Sequence, residues 1–149
     1  MQNHYCKAMS EKRFIIECTE KQLQMIDAAT ELQARFICGQ MWLGPVQDIF
    51  MEAFEKAFPN RGWQDIQDEL EEDMKMLQKK YFNLSPNASY GLGHDNYADN
   101  LWSIHKCCEH ARWLAKPQEY REQTKWTVLA DPPMQYGDQP LMKVELKQE

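Results

Sequence analysis

The chain has 149 residues, of which 43% are hydrophobic and 11% aromatic, and its formal net charge at pH 7 is −6. This length and composition suit one folded domain and exclude a disordered chain. The excess of acid excludes polymeric DNA or RNA as the main partner, because the phosphate backbone would be repelled. The five cysteines contain no CxxC pair, and no apolar run is long enough for a secretion signal or a membrane span, so we expect a cytoplasmic protein with reduced thiols.

The N-terminal part predicts a leader, a strand and a helix. Residues 1–11 are polar and unpatterned, so we expect a flexible leader there and a single α+β domain over residues 12–149. Arg13 to Cys18 is a short β-favouring run. A Thr-x-x-Gln capping box begins at Thr19, and apolar residues then recur every three or four positions. An amphipathic helix is therefore expected up to about Gln40.

Three further helices are expected in the middle of the chain. Pro45 suits the first turn of a helix, and that helix should end before Phe58 and the proline after it. The next helix, over about Asp65 to Tyr81, carries acid in its N-terminal half and lysines at its end, as the helix dipole favours. After a loop containing two glycines, Asp95 can cap a second long helix that ends near Lys116.

The C-terminal part predicts two short strands. Lys125 to Ala130 favours β structure, and Leu141 to Leu146 alternates polar and apolar residues. An isolated terminal strand would leave its backbone groups unpaired, so the first and last strands are expected to share one antiparallel sheet. The predicted fold class is α+β, with about four helices and a small antiparallel sheet formed by the N- and C-terminal strands.

The last long helix has the residues closest to a metal or catalytic site. His105 and Cys108 would share one face, and His110 follows, but a structural zinc site needs four ligands and no second pair has ligand spacing. His105 could serve as an acid or base, yet no nucleophile stands in an activating motif nearby. We therefore predict no metal, no cofactor and no catalytic residue. The alternative role for these side chains is a packed Cys108 and a hydrogen-bonded His105.

The glycines before that helix resemble part of a phosphate-binding loop. Gly91 and Gly93 would let backbone N–H groups approach an anion at a helix start. However, the preceding strand and the third glycine are missing, and Asp95 would repel a phosphate. The alternative is a flexible turn before the helix cap.

Residues 105–126 are the locally basic, aromatic part of an acidic chain. They combine cationic side chains with the rings of Trp113, Tyr120 and Trp126. Cations pair with phosphate and flat rings stack on a base, so this composition suits a nucleotide ligand. The alternative is a basic helix end that complements its own dipole.

The order of elements resembles small proteins encoded by bacteriophages, and among them the anti-Thoeris sponge family. The segments that carry the resemblance are residues 14–22, 31–40 and 100–105, with the first helix ending in Ala34-Arg35-Phe36-Ile37-Cys38-Gly39-Gln40. The resemblance implies a homo-oligomer in the cytosol of the host cell. It would capture a cyclic ADP-ribose isomer or a cyclic oligonucleotide without cleaving it, as an anti-defence protein.

The same resemblance implies a ligand pocket walled by the second long helix and the C-terminal segment. Matching the layout places the ligand-binding residues at Ala98, Leu101, His105, Arg112 and Arg121. This chain differs from the family in its additional acidic helix over residues 65–81, which would either block or remodel such a pocket.

Two other functions remain open from the sequence. The first is an acidic helical interaction protein that binds and inhibits a host protein, indicated by the acidic helix and by Trp42, Trp63 and Trp102, which we expect to be exposed. The second is an enzyme that acts on a nucleotide with His105 as acid or base. Retention of an intact ligand, capture of a protein partner or formation of a product would distinguish the three.

Overall fold

A computed structural model describes residues 14–41, 43–44, 47–85 and 88–147. Over these residues the chain forms five helices and no strand. The helices are α1 (Glu20–Ile37), α2 (Gln47–Ala57), α3 (Trp63–Phe82), α4 (Asn96–Leu114) and α5 (Gln118–Thr124). The predicted leader, Trp42 and Pro45 lie outside the described residues. None of the helices in the described ranges is long and apolar enough to cross a membrane.

Both long helices of the main pair begin at caps that the sequence predicts. The hydroxyl of Thr19 accepts from the backbone N–H of Gln22, and the Gln22 side chain accepts from the N–H of Thr19, so the predicted capping box is confirmed. Asp95 accepts from the N–H of Ala98 at the start of α4. These bonds satisfy amide groups that have no partner within the first helical turn.

Helices α1 and α4 pack side by side in opposite directions. Near the start of α1, Glu20 lies 2.7 Å from Lys116 beyond the end of α4. Near the end of α1, the guanidinium of Arg35 lies 5.1 Å from the ring of Trp102, in the first half of α4. The buried apolar residues on this pair of helices are Ala34, Cys38, Ala98, Leu101, Cys107 and Cys108. Most of these side chains are small, which lets the two helices approach closely.

Helices α2 and α3 pack against each other through aromatic side chains. The Phe54 ring meets the Trp63 ring edge-on at a centroid distance of 6.2 Å. The end of α3 reaches α1, where the rings of Phe82 and Phe36 are 6.1 Å apart. The buried Gln78 fixes the chain after α3, because its amide donates to the carbonyl of Ala88 at 2.6 Å. The acidic N-terminal half of α3 remains largely exposed.

The C-terminal segment, residues 129–147, runs without regular structure and is attached to α4 by polar contacts. The backbone N–H of Tyr136 donates to the hydroxyl of Ser103 at 3.0 Å. The amide side chain of Asn100 donates to Asp138 at 2.9 Å and accepts from the N–H of Gln139 at 3.0 Å. Side-chain groups on α4 thus satisfy backbone groups that a sheet would otherwise have paired.

The predicted antiparallel sheet is wrong, and the α+β fold class with it. Residues 14–19 are irregular and exposed, residues 125–130 form turns after α5, and residues 141–147 have no regular structure. Glu17 and Lys147 do meet at 3.0 Å, so the two segments are neighbours, but no backbone hydrogen bond joins them within the described ranges. The described chain is therefore helical.

The predicted strand over residues 125–130 fails for a local reason. The hydroxyl of Thr127 donates to the carbonyl of Thr124, and the N–H of Ala130 donates to the carbonyl of Thr127. These short-range bonds close turns where a strand would need an extended partner. The β preference of Trp, Thr and Val is realised only on a half-buried sheet surface, and here Trp126 and Val128 are exposed.

Candidate functional site

The centre of the α1–α4 contact is a buried carboxylate that holds an imidazole and a guanidinium group. Asp27 in α1 is 7% exposed. Its Oδ1 accepts from Nδ1 of His105 at 2.6 Å, and its Oδ2 accepts from Nη1 of Arg112 at 2.7 Å. His105 and Arg112 are about two helical turns apart on α4, so they lie on one flank of that helix.

A buried carboxylate is costly unless it is paired and hydrogen-bonded. Asp27 meets both conditions, since each of its oxygens has its own donor. The arrangement also limits what His105 can do. His105 is 5% exposed, with its ring 4.8 Å from the ring of Trp102, so a substrate would not reach it without separating the helices.

The cysteines next to this carboxylate are poor nucleophiles. Burial, and secondarily the charge of Asp27, raises the pKa of Cys108 to about 12. Burial also raises the pKa of Cys107. Both thiols therefore stay protonated near neutral pH, and only the thiolate attacks or binds metal well. In the described part of the chain, no group of three or more His, Cys, Asp or Glu side chains has the arrangement of a metal site.

A second cluster lies where α4 meets α5. The guanidinium of Arg121 lies 6.0 Å from the ring of Trp113, which stacks on His110 at a centroid distance of 5.7 Å. Trp113 is held in place because its indole N–H donates to the hydroxyl of Thr124 at 2.9 Å. No carboxylate in the described ranges pairs with Arg121.

Arg112 near the end of α4 and Arg121 in α5 share one unusual property. The Nε atoms of Arg112 and Arg121 are both buried, and neither has a hydrogen-bond partner among the residues that the structure describes. Buried donors without an acceptor are uncommon and point to a water, an ion or a ligand. We call His110, Arg112, Trp113 and Arg121 the α4–α5 end.

The structure places the five predicted ligand-binding residues in three groups. Ala98 and Leu101 are buried in the first half of α4, against α1. His105 and Arg112 are joined through Asp27, and Arg121 belongs to the α4–α5 end. Ala98 and Arg112 are about 21 Å apart along the helix axis, given a rise of about 1.5 Å per residue. Within one chain, a single nucleotide would not contact both ends of this set.

Two small cavities in the described chain lie away from these residues. One, of about 160 Å³, is lined by Lys79, Asn83, Leu84 and Ser85 at the end of α3. The other, of about 50 Å³, lies between α3 and the chain before α2, next to Trp63. Enclosed sites for drug-sized ligands usually measure roughly 300 to 1,000 Å³. Both cavities are smaller than that.

The glycines before α4 form a turn whose N–H is already used. The backbone N–H of Gly93 donates to both oxygens of the buried Asp99, at 2.9 and 3.2 Å. An anion would have to displace that carboxylate and would meet its charge. This geometry agrees with the turn that the sequence left open as the alternative to a phosphate-binding loop.

Sequence reasoning missed Asp27 and misjudged two tryptophans. Asp27 is not among the predicted site residues, although it lies two turns before the buried Ala34 and so shares its face. Trp63 and Trp102 are partly buried rather than exposed. Spacing relative to Ala34 was the available signal for Asp27, whereas the contact of Trp102 with Arg35 of α1 joins residues that are distant in the sequence.

The arrangement therefore has three parts. These are the antiparallel pair α1 and α4, the carboxylate of Asp27 buried between them, and the α4–α5 end with its two incompletely bonded guanidinium groups. In comparisons with known proteins, no family model, no curated protein and no solved structure matches this chain.

Proposed function

We propose that this protein is a non-catalytic binding protein that sequesters a small anionic signalling molecule of nucleotide type at the α4–α5 end. The observation that supports this most is that the buried Nε atoms of Arg112 and Arg121 have no acceptor within the described part of the chain. Leaving a buried donor unsatisfied costs about 1 to 3 kcal/mol. A phosphate oxygen would supply the missing acceptor and neutralise Arg121 as well.

At the α4–α5 end, the arginines would bind the phosphate of the ligand and the aromatic rings would stack on its base. Arg121 has no carboxylate partner in the described chain, so it keeps its full charge for a phosphate. Arg112 contributes less, because Asp27 already neutralises it. The stacked rings of Trp113 and His110 offer a flat surface for a base, and such stacking does not depend strongly on base identity.

The proposed class of ligand is taken from the resemblance to the anti-Thoeris sponges. A cyclic ADP-ribose isomer or a cyclic oligonucleotide combines phosphate with a base, which suits both halves of the α4–α5 end. The protein would act in the cytosol of a host cell during phage infection and keep the immune signal from its receptor. Sequestration without cleavage is favoured because His105 is buried and the nearby thiols are protonated.

A retention experiment tests this function. The purified protein is incubated with cyclic ADP-ribose isomers and with cyclic oligonucleotides, separated from free ligand and then heated. We expect intact ligand in the supernatant only after heating, detected by mass spectrometry. If none of these ligands is retained, or if the ligand is returned cleaved, the proposal is wrong.

Arg121→Gln should weaken retention of that ligand at least tenfold, because it replaces a cation that has no carboxylate partner in the described chain with a shorter, neutral polar side chain. The matched control is Arg61→Gln, which removes an exposed arginine paired with Glu69 before α3. Isothermal titration calorimetry would measure both variants. An equal loss in the two would show that net charge alone, rather than the α4–α5 end, attracts the ligand.

A second candidate function is the binding of a host protein through the acidic face of α3. Asp68, Glu72 and Asp73 are exposed and have no cationic partner in the described residues. Such a face would attract a basic protein surface. Charge reversal at these three positions should abolish capture of a partner from a bacterial lysate. If every captured protein remained bound, the acidic face would not be the binding surface.

A further inference from the structure

The C-terminal segment lies on a face of α4 that differs from the face packed on α1. Residues of α4 at spacings of three and four contact this segment through hydrogen bonds. They are Asn96, Asn100, Ser103, Cys107 and His110. Such spacing places them along one side of the helix, whereas Cys108 lies near Asp27 of α1. We call these residues of α4 the covered stripe and residues 129–142 the strap.

The strap runs along the covered stripe towards the start of α4 and then turns back. Its first residue, Leu129, places its carbonyl oxygen 3.4 Å from Nδ1 of His110. Its middle reaches the first turn of α4, where the N–H of Asp138 donates to a side-chain amide oxygen at 3.0 Å. Its last residue, Met142, bonds the thiol of Cys107 through its backbone. The strap is therefore fastened to α4 at both ends and in the middle.

Polar contacts, rather than apolar burial, hold the strap in place. None of residues 129–147 is buried, although Ser103 and Cys107 beneath the strap are each only 4% exposed. A hydrogen bond contributes modestly to stability, because water replaces it when the two groups separate. Local opening is easiest where few apolar contacts are lost. Release of the strap should therefore require much less free energy than separation of α1 from α4.

We propose that the strap opens from α4 while α1 and α4 stay packed, and that opening makes the covered stripe accessible. In the closed state the strap covers the thiol of Cys107 and contacts His110 at the α4–α5 end. In the open state the thiol meets solvent and His110 loses that contact. The C-terminal segment is thus a conformational device that covers or uncovers one face of α4. The proposal does not rest on the nucleotide ligand, because both states belong to the protein alone.

The neighbouring thiols of Cys107 and Cys108 provide the test. Cys107 bonds the strap, whereas Cys108 is 0% exposed and lies near Asp27 of α1. The full chain is alkylated with N-ethylmaleimide under native conditions, and tandem mass spectrometry assigns the initial rate of each thiol. Each rate is divided by that of the chain unfolded in urea, which removes intrinsic differences in reactivity. We expect Cys107 to react at least about tenfold faster than Cys108, because only Cys108 requires separation of the helices.

Asn100→Ala removes both bonds of that side chain to the strap. It should speed alkylation of Cys107 at least about fivefold, because the closed state loses two hydrogen bonds, and leave Cys108 unchanged. The matched control is Gln67→Ala, which removes an exposed amide that donates to Glu71 on α3. The control should leave the rates of both thiols unchanged.

Asp138→Ala weakens the same attachment from the side of the strap, where no helix is altered. It should also speed alkylation of Cys107, with the helix content unchanged by circular dichroism. Equal normalised rates for Cys107 and Cys108 in the wild type would overturn the proposal, because both thiols would then be reached through global unfolding. So would a Cys107 rate that stays the same in both Asn100→Ala and Asp138→Ala, since the strap would not control access to this thiol.

Discussion

At the scale of single residues, Asp27 joins two side chains of α4 to α1. Replacing it with alanine leaves the partly buried guanidinium of Arg112 and the buried imidazole of His105 without their acceptor. We expect Asp27→Ala to lower the free energy of unfolding by about 3 kcal/mol. Urea denaturation followed by circular dichroism measures this. Glu52→Ala is the matched control, because it breaks the exposed pair with Lys56 and should hardly move the midpoint. Similar shifts for both variants would show that Asp27 has no special role.

At the scale of elements, the attachment of the C-terminal segment to α4 depends on Gly137. A Cβ atom at this position would lie 2.1 Å from Oδ1 of Asn100 and 2.8 Å from its backbone N, so rotating a side chain cannot relieve the clash. Gly137→Ala should cost about 1 to 3 kcal/mol and release the segment to proteolysis. Gly62→Ala is the control, since its Cβ would meet only Asp65 at 3.5 Å. A segment that stays equally protected in both variants would contradict this attachment.

At the scale of the whole molecule, stability is concentrated in the pair α1 and α4. Most of the buried residues lie on these two helices, whereas no residue described in α2 is buried. Local opening is easiest where few apolar contacts are lost. We expect the amides of α1 and α4 to exchange at least about 100-fold more slowly than those of α2, as measured by native hydrogen exchange with mass spectrometry. Equal protection of the three helices would indicate a single cooperative core instead.

The candidate site was partly predictable for a geometric reason. The common flank of His105 and Arg112 follows from helical spacing alone, and both side chains do reach the same carboxylate. The identity of that carboxylate does not follow, because α1 and α4 are far apart in sequence and several acids on α1 are candidates. Likewise, the buried Nε atoms of Arg112 and Arg121 lack acceptors in the described chain because of how the helices pack, and residue spacing does not reveal this.

The sequence by itself determined where the two main helices begin. The caps at Thr19 and Asp95 are hydrogen bonds between residues three positions apart, so local sequence is sufficient to set them. Only the tertiary structure decided whether the apolar ends of the chain form strands. A strand requires backbone partners from another segment, and residues 14–18 find none within the described chain. Likewise, only the packing of α4 on α1 decided that Asp27 is buried, because its burial depends on partners distant in sequence.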